Sequence, residues 1–309
     1  MVRALLLVTL GLTACSSSRS PAPAGGAASG SATSAPTAIT PPSPTPSSDA
    51  VVPMLYAVRK DGQTSHVLGT IDIGLPAPKL PPSVWSAFAS AKAVVLEWNF
   101  GERTTGLRER MRRDGSKLSD SLTPEERTAL AGAVGPGAKD LDTAATWMAP
   151  GGVSSTGLPR TDAIQAVLAA RAEEQEVPVT YLESMDVQVT RTAKWLDERA
   201  LRALLADVTA VRRGNLAYLE AYTRGDEAAL AELRGERTPW KRAGRTGAEL
   251  AQLDAETLGD RQATWMATLQ PLLTAGGAFI AVDVAHLVGS PNLLARLRDA
   301  GYDVTREAP

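Results

Sequence analysis

The sequence contains few of the residues on which metal and redox chemistry most often depends. Its 309 residues include one cysteine and two histidines. One cysteine excludes an intramolecular disulfide, and no Cys/His spacing typical of a zinc site is present. There is also no Gly-x-Ser-x-Gly nucleophile elbow and no glycine-rich phosphate-binding loop. The folded part must therefore be held together by its apolar core, and the enzyme classes with those motifs are disfavoured.

The chain also lacks an excess of charge of either sign. It has 32 Lys and Arg residues against 34 Asp and Glu residues, a formal net charge of −2 at pH 7. Nucleic-acid-binding proteins usually present a basic face, so we expect no nucleic-acid partner. With 44% hydrophobic residues the chain can bury a substantial core. The simplest organisation is one domain of about 255 residues preceded by N-terminal appendages.

The apolar run near the N-terminus is too short to span a bilayer. From Ala4 to Ala14 it has about 11 residues, whereas a membrane-spanning helix needs about 20. Arg3 precedes the run, and the segment that ends it, LTAC at 12–15, resembles the lipobox of bacterial lipoproteins. We therefore interpret residues 1–15 as a lipoprotein signal peptide and expect Cys15 to carry the lipid. The alternative is an ordinary cleaved signal peptide with an incidental cysteine.

Residues 16–50 consist almost entirely of Ser, Pro, Ala, Gly and Thr. This composition cannot bury enough apolar surface to fold, so we expect a disordered tether between the anchor and a domain at 51–309. Ser16, rather than aspartate, follows Cys15, which favours the outer membrane if the source has two membranes. The prediction is a lipid-anchored protein of the bacterial cell envelope, on the periplasmic face of the outer membrane in such a source.

Four predicted strands each end at an acidic residue. Those residues are Asp72, Glu97, Glu183 and Asp283, and His286 follows the last of these strands. If the sheet is mostly parallel, the four strand ends lie along its carboxyl edge, where open α/β sheets bind their ligands. We therefore predict the active region at this edge.

The pattern between these strands predicts an α/β fold with a mixed central sheet. Asp61-Gly62 between two short strands indicates a β-hairpin at the start of the domain. Strands then alternate with helical patterns, as in parallel βαβ units. From about residue 185 to 275 apolar residues recur at helical spacing with almost no strand signal, which predicts a large helical layer or lobe.

Helix boundaries are predicted from capping patterns. The segment 123–126, TPEE, has the pattern of a capping box and predicts a helix start. The last long helix of the helical region should begin near Gly247 and bend or end near Pro271. Ser290-Pro291 predicts the start of the final helix, with serine as N-cap and proline at the first position.

A series of short segments resembles motifs of the TraB/GumN family, which includes the Tiki proteases. The segment 68–74, LGTIDIG, is similar to the family's LGTxHxG, and 279–289, FIAVDVAHLVG, to its FVAVGAGHLxG. Further matches to VVxE, LET, RN and GYxV are VVLE at 94–97, LES at 182–184, DRQ at 260–262 and GYDV at 301–304. The resemblance covers roughly residues 53–307 and implies the family's fold.

The resemblance also implies a function, but this chain differs from the family motifs at residues that would carry the chemistry. Family members with both motif histidines are described as metal-dependent hydrolases or proteases. Here Asp72 stands in place of the first histidine, Asp283 and Ala285 stand in place of glycines, and only His286 remains. The chain is thus predicted to be a metal-dependent, peptidase-like hydrolase. The alternative is a non-catalytic relative that binds a peptide or a polysaccharide-related partner in the envelope.

Two arrangements of the candidate residues remain open. In the first, Asp72, Asp283 and His286 are ligands of a divalent cation (Mn, Co, Mg or Zn), because carboxylates and neutral imidazole suit such ions. Glu97, Glu183 and Arg261 are then the candidate catalytic residues, and Asp72, Glu97 and His286 should lie within about 8 Å of one another. In the second, the carboxylates are held by Arg261 or by backbone amides at a helix start.

Overall fold

The computed structural model describes residues 50–99, 101–102, 109, 111–236, 241 and 243–308. The predicted signal peptide, the lipidation of Cys15 and nearly all of the predicted tether lie outside these residues and stay predictions. Along the described residues, no helix combines the length and the apolar character that a membrane crossing would require. The strands are β1 (Leu55–Lys60), β2 (Gln63–Thr70), β3 (Ala93–Trp98), β4 (Val179–Glu183), β5 (Ala278–Asp283) and β6 (Asp303–Arg306).

The strands form one six-stranded mixed sheet in the order β4-β3-β5-β2-β1-β6. Strand β1 pairs antiparallel with both β2 and β6. Between β1 and β2, Asp61 has φ +50° and Gly62 has φ +76°. Positive φ at both central residues is what a type I′ hairpin turn requires, and glycine and aspartate adopt it at low cost. The predicted starting hairpin is confirmed.

The four strands that were predicted to end at acidic residues are all in the parallel part of the sheet. Strand β5 pairs parallel with β2 on one side and with β3 on the other, and β3 pairs parallel with β4. Strand β5 is buried along nearly its whole length, as is usual for a central parallel strand covered on both faces. The carboxyl ends of β2, β3, β4 and β5 therefore share one edge, which confirms the predicted architecture.

Helices surround the sheet and connect its strands. They are α1 (Pro82–Ala89), α2 (Leu118–Ser121), α3 (Pro124–Val134), α4 (Met148–Ser154), α5 (Ile164–Glu174), α6 (Met185–Ala193), α7 (Glu198–Leu205), α8 (Val208–Thr223), α9 (Glu227–Gly235), α10 (Gly247–Asp254), α11 (Asp260–Ala275) and α12 (Leu293–Asp299). Turns of 3-10 helix occur at Ala77–Lys79, Gly135–Asp142 and Val284–His286, and a π-helical segment at Ala255–Gly259 joins α10 to α11. Helix α1 makes the crossover from β2 to β3, and α5 leads into β4.

The apolar core has three parts. The main cluster lies around the sheet and includes Phe279 of β5 and Trp265 of α11. A second cluster includes Trp98 and Trp195, and a third lies among the helices, with Leu201 of α7 among its members. The helical region thus has apolar cores of its own, while α8 and α11 also pack onto the sheet. The predicted helical layer is present.

Two helix boundaries differ from the predictions. Helix α11 continues through Pro271 to Ala275, and the irregularity falls instead in the π-helical segment before it. The final helix begins two residues later than predicted, at Leu293, because Asn292 is the N-cap and accepts from the Ala295 amide at 2.8 Å. Asparagine is among the strongest N-cap residues, which explains the shift.

The predicted capping box at the start of α3 is confirmed. Thr123 Oγ1 accepts from the Glu126 amide at 3.2 Å, and the Thr123 amide donates to Glu126 Oε2 at 2.9 Å. A second capping box joins Thr246 and Glu249 and fixes the start of α10. These contacts satisfy amides that the first turn of a helix leaves without partners.

Candidate functional site

The parallel strands bring four predicted site residues together at the carboxyl edge of the sheet. Glu97 and Glu183 lie at the ends of β3 and β4, and His286 lies in the 3-10 turn after β5. Arg261 approaches them from the first turn of α11. Glu97, Arg261 and His286 are 0% exposed and Glu183 is 8% exposed. These residues form a buried polar group, which we call the Arg261 cluster.

The guanidinium of Arg261 is the centre of this cluster. Nη2 donates to Glu97 Oε2 at 3.1 Å, and Nε donates to the two carboxylate oxygens of Glu183 at 3.1 and 3.0 Å. Nη1 contacts His286 Nε2 at 3.0 Å and donates to the Thr257 carbonyl at 3.3 Å. Bonds between a guanidinium and carboxylates are among the strongest in proteins. One cation therefore binds both acidic strand ends and the imidazole.

The contact with Arg261 determines the tautomer of His286. A guanidinium can only donate, so His286 Nε2 must be unprotonated and the proton of the neutral ring lies on Nδ1. Burial, and then the charges of Arg261 and Arg234, lower the pKa of His286 well below its ordinary value of 6.5. His286 is thus a neutral hydrogen-bond acceptor at Nε2.

Gln262 lies on the other side of the same ring. Its Nε2 is 3.3 Å from His286 Nδ1 and 3.4 Å from the His286 carbonyl oxygen. Its Oε1 is buried and has no hydrogen-bond partner among the described residues. A reversed amide would place Oε1 against the Nδ1 proton and satisfy both groups. Gln262, at the position where the family motif has asparagine, is therefore suited to fix the histidine tautomer.

The pKa of Glu97 is shifted toward neutral pH. Burial raises its pKa from 4.5 to about 7, against the opposing effect of Arg261, and Asp283 and Glu183 raise it further. Its Oε1 accepts from the Asp283 amide and lies 3.8 Å from His286 Nε2. The Glu97 carboxyl is consequently poised to exchange a proton near neutral pH.

Glu183 has more partners than Glu97. Besides Arg261, it accepts from Trp265 Nε1 at 3.0 Å and from Arg191 Nη1 at 3.3 Å. Arg191 is 30% exposed at its side chain, so Glu183 connects the buried cluster to the protein surface. Two cations and an indole N–H thus stabilise this carboxylate.

Two tryptophans enclose the guanidinium. The Arg261 Cζ atom lies 4.8 Å from the ring centre of Trp265 and 6.0 Å from that of Trp98. The Trp265 and His286 rings are 4.5 Å apart. Because apolar rings surround the cluster, its charges have little screening by water and their interactions are strong.

A protein-family model matches residues 54–306 of the chain. The matching family is described as TraB/PrgY/gumN. The chain belongs to the TraB/PrgY/gumN family. Comparison with curated proteins and with solved structures returned no match. The matched range contains every residue of the Arg261 cluster, and the family resemblance stated from the sequence motifs is confirmed.

Two of the three predicted metal ligands of this TraB/PrgY/gumN-family chain, Asp72 and Asp283, are not members of the Arg261 cluster, whereas His286 is. Asp72 lies two residues beyond the end of β2 and is 2% exposed. Asp283 uses Oδ1 to accept from the Ala285 amide at 2.8 Å, which caps the 3-10 turn that carries His286. Among the described residues, no group of three or more His, Cys, Asp or Glu side chains is placed to hold a metal ion.

The arrangement does not fit a divalent cation at the Arg261 cluster. His286 Nε2 already contacts a guanidinium, and so do Glu97 and Glu183. A metal bound there would have to displace Arg261 from at least one of these partners and tolerate its positive charge nearby. The metal site predicted from Asp72, Asp283 and His286 stays a prediction.

Two supporting residues were not found from the sequence. Gln165 of α5 accepts from the Glu97 amide at 3.0 Å and donates to Thr70 Oγ1 at 3.2 Å, so it joins the ends of β2 and β3. Trp265 of α11 donates through Nε1 to Glu183 Oε1 at 3.0 Å. Its spacing of four residues from Arg261 places both side chains on one helix face, a signal that could have identified it.

Arg234 is the third supporting residue. It is 4% exposed, and it donates to the Ala285 carbonyl at 2.8 Å and to the Ser290 carbonyl at 2.8 Å. Gly289 lies in the chain between Ala285 and Ser290 and has φ +67°. A Cβ added at Gly289 would be 2.7 Å from Arg234 Nη2. Arg234 therefore holds the loop that carries His286, and Gly289 leaves the space for it.

Proposed function

We propose that this TraB/PrgY/gumN-family protein is a non-catalytic binding protein of the bacterial cell envelope, anchored through a lipid on Cys15. Its partner is a peptide or a polysaccharide-related component of the envelope. The observation that carries the proposal is the Arg261 guanidinium at the centre of Glu97, Glu183 and His286. This is the arrangement expected when the strand-end carboxylates are held by an arginine rather than by a metal.

The charges of the cluster support this function. A buried carboxylate needs a partner, and Arg261 provides one for both Glu97 and Glu183 without any added ion. Asp283 is likewise held by a backbone amide at a helix start. The cluster is thus complete as a structural network that fixes the ends of three strands and one helix.

The burial of the cluster also supports a non-catalytic function. A hydrolytic centre must contact its substrate and a water molecule, but Glu97, Arg261 and His286 are 0% exposed. A partner that meets the protein from solution can instead bind at its surface. Substrate chemistry at the cluster would require the described structure to open.

The second candidate is the metal-dependent hydrolase that the family resemblance implies, and one observation favours it. Burial raises the pKa of Glu97 to about 7, and neutral His286 lies 3.8 Å away. General acids and bases work best when their pKa is close to the operating pH. Perturbed carboxyl groups of this kind occur at active sites and also in structural networks.

Metal content separates the two candidates. The full chain, produced with Mn, Co and Zn in the medium and purified without chelators, should contain far less than about one metal atom per chain. Fluorogenic peptides should be cleaved no faster by the parent than by the Glu97→Gln variant. Stoichiometric metal that the double variant Asp72→Asn, His286→Ala loses would support the hydrolase instead.

A further inference from the structure

Strand β4 forms one edge of the sheet, and the outward side of its backbone has no hydrogen-bond partner among the described residues. On the inner side, the Val94 amide donates to the Pro178 carbonyl at 2.9 Å. Because the main-chain groups of successive residues point to opposite sides of a strand, residues 178, 180 and 182 face β3, and Val179 and Tyr181 face away from it. The N–H and C=O groups of Val179 and Tyr181 are therefore available to pair with another strand.

The two edge strands of the sheet differ in how they resist such pairing. Strand β6 has four residues and carries Asp303 and Arg306, and Arg306 donates to the Gly225 carbonyl at 2.7 Å. Charged residues on a short edge strand discourage pairing with another chain. Strand β4 has the sequence VTYLE, in which β-branched and aromatic residues favour pairing, and its one charged residue, Glu183, lies at the end and is bound to Arg261. Strand β4 is therefore the edge better suited to accept an added strand.

An acidic segment lies directly before β4. Glu173 and Glu174 are in the last turn of α5 and Glu176 follows two residues later; all three are exposed, and their side chains form no ion pair among the described residues. Arg171, in the same turn, instead stacks on the Trp85 ring, with Cζ 4.1 Å from the ring centre. The helix dipole also disfavours carboxylates at the C-terminal end of a helix. The segment therefore carries negative charge that the protein does not compensate.

The acidic segment lies close to the open edge of β4. Burial raises the pKa of Tyr181, and the charge of Glu173 raises it further, so the Glu173 carboxylate is near the middle residue of the strand. A strand that pairs with β4 would pass beside this carboxylate. A cationic side chain on that strand would gain a favourable interaction, and an anionic one would be repelled.

Other occupants fit this edge less well. Two copies of β4 paired antiparallel about a twofold axis at Tyr181 would bring their two Glu173 carboxylates toward each other, and like charges repel. A polysaccharide lacks the regular series of N–H and C=O groups that pairs with a strand edge. The chemistry that fits is an extended peptide with basic side chains.

We infer that the β4 edge binds an extended cationic peptide segment, which adds a seventh strand to the six-stranded sheet through the main chain of Val179 and Tyr181 and places a Lys or Arg side chain beside Glu173. The inference rests on the proposed function, because it names the class of partner that the binding protein takes. Residues 179–182 are partly exposed, so the contact requires no opening of the buried Arg261 cluster.

The probe is a blocked hexapeptide of alternating lysine and valine, titrated into the full chain at low salt by calorimetry. One control peptide has glutamate in place of lysine. A second carries N-methyl groups along its main chain, which remove the N–H donors that an added strand requires and keep the charge. Only the unmodified lysine peptide should bind, and hydrogen exchange of the Val179 and Tyr181 amides should slow by about tenfold or more in the complex.

Two variants test the two parts of the contact. Val179→Pro removes an outward N–H at the first residue of an edge strand, where proline is tolerated, and should weaken binding about tenfold. The double variant Glu173→Gln, Glu176→Gln should weaken binding and reduce its dependence on salt. The matched control is Glu232→Gln, which removes the same charge from an exposed glutamate of α9 and should bind as the parent does.

Equal binding of the N-methylated peptide would overturn the inference, because charge alone would then explain the contact, and this result does not depend on whether Val179→Pro folds. Tighter binding of the glutamate peptide, parent-like binding by the double glutamine variant, or absence of binding by the lysine peptide would also overturn it. So would a dimer of the parent that Val179→Pro abolishes, because a second copy would then occupy the edge. These failures are distinguishable from failure of the proposed function, which metal content and the Glu97→Gln cleavage test decide independently.

Discussion

Arg261 Nη1 lies 3.0 Å from His286 Nε2, so the imidazole nitrogen that could bind a metal accepts a hydrogen bond from a guanidinium instead. The histidine is the one that remains of the two in the family motifs. The arginine comes from the local motif at 260–262. Together with Glu97 and Glu183 they form a buried network at the carboxyl edge of the sheet, with one guanidinium at its centre.

Removal of the central cation should strongly destabilise the fold. Arg261→Met leaves Glu97 and Glu183 buried without their main partner, and loss of one member of a buried ion pair costs about 3–5 kcal/mol. Urea unfolding of the full chain measures this loss.

The matched control for that variant is Arg191→Met. Arg191 also pairs with Glu183, but its side chain is 30% exposed. The free energy of unfolding should therefore fall by at most about 1 kcal/mol. Similar losses for the two variants would show that Arg261 does not have the central role described here.

The stability of the protein should depend on pH through Glu97. Burial raises the pKa of Glu97 from 4.5 to about 7, so the folded state binds this proton more tightly than the unfolded state does. The stability from this carboxyl is fully present below pH 4.5 and is lost as the pH rises through about 7. The total is on the order of 3 kcal/mol.

The Glu97→Gln variant cannot titrate at this position. Relative to the parent, its unfolding free energy should increase steadily from pH 4.5 to about 7 and then level off. His286 contributes oppositely: its pKa is lowered by burial, so its contribution falls as the pH drops below 6.5. That contribution is present in both proteins and largely cancels. A parent-minus-variant difference that stays constant with pH would contradict the raised pKa.

Gly289 should not tolerate a side chain. Gly289→Ala forces a residue with a Cβ into φ +67° and places that Cβ 2.7 Å from Arg234 Nη2. We expect the free energy of unfolding, measured in urea, to fall by more than about 1 kcal/mol. Gly132→Ala is the control: Gly132 lies inside α3 with open space around it, and alanine there should stabilise the helix by up to about 1 kcal/mol.

Cys15 should be the first residue of the mature protein and should carry lipid. Mass spectrometry of the N-terminal peptide from the membrane fraction checks this. The Cys15→Ser variant should remain unprocessed and lose lipid-dependent membrane attachment. Retention of a normally processed Cys15→Ser chain in the membrane would contradict the anchor.

The sequence predicted the sheet edge well because two local signals coincide there. Apolar strands that end in acidic residues are visible in the chain, and helical segments between them imply parallel pairing, which brings Glu97, Glu183 and His286 together. The position of Arg261 is harder to predict. Arg261 follows the π-helical segment Ala255–Gly259 and donates to the Thr257 carbonyl within it, and the sequence has no clear signal for that segment.

The sequence left two arrangements of the site open, a metal held by Asp72, Asp283 and His286 or carboxylates held by Arg261 or backbone amides, and could not decide between them. Asp72, in place of a family histidine, suggests a carboxylate ligand, but which cation reaches the strand ends depends on three-dimensional packing. Gln165 and Arg234 also reach the edge from other helices, and no local pattern marks either of them. Long side chains on distant helices are the least predictable part of such a site.

Anomalous diffraction from crystals of the full chain soaked in Mn²⁺ tests the central claim most directly. The account predicts that the Arg261 guanidinium remains between Glu97, Glu183 and His286, with no manganese peak in contact with His286 Nε2. A manganese ion bound to His286 Nε2 and a strand-end carboxylate, with Arg261 displaced, would contradict it.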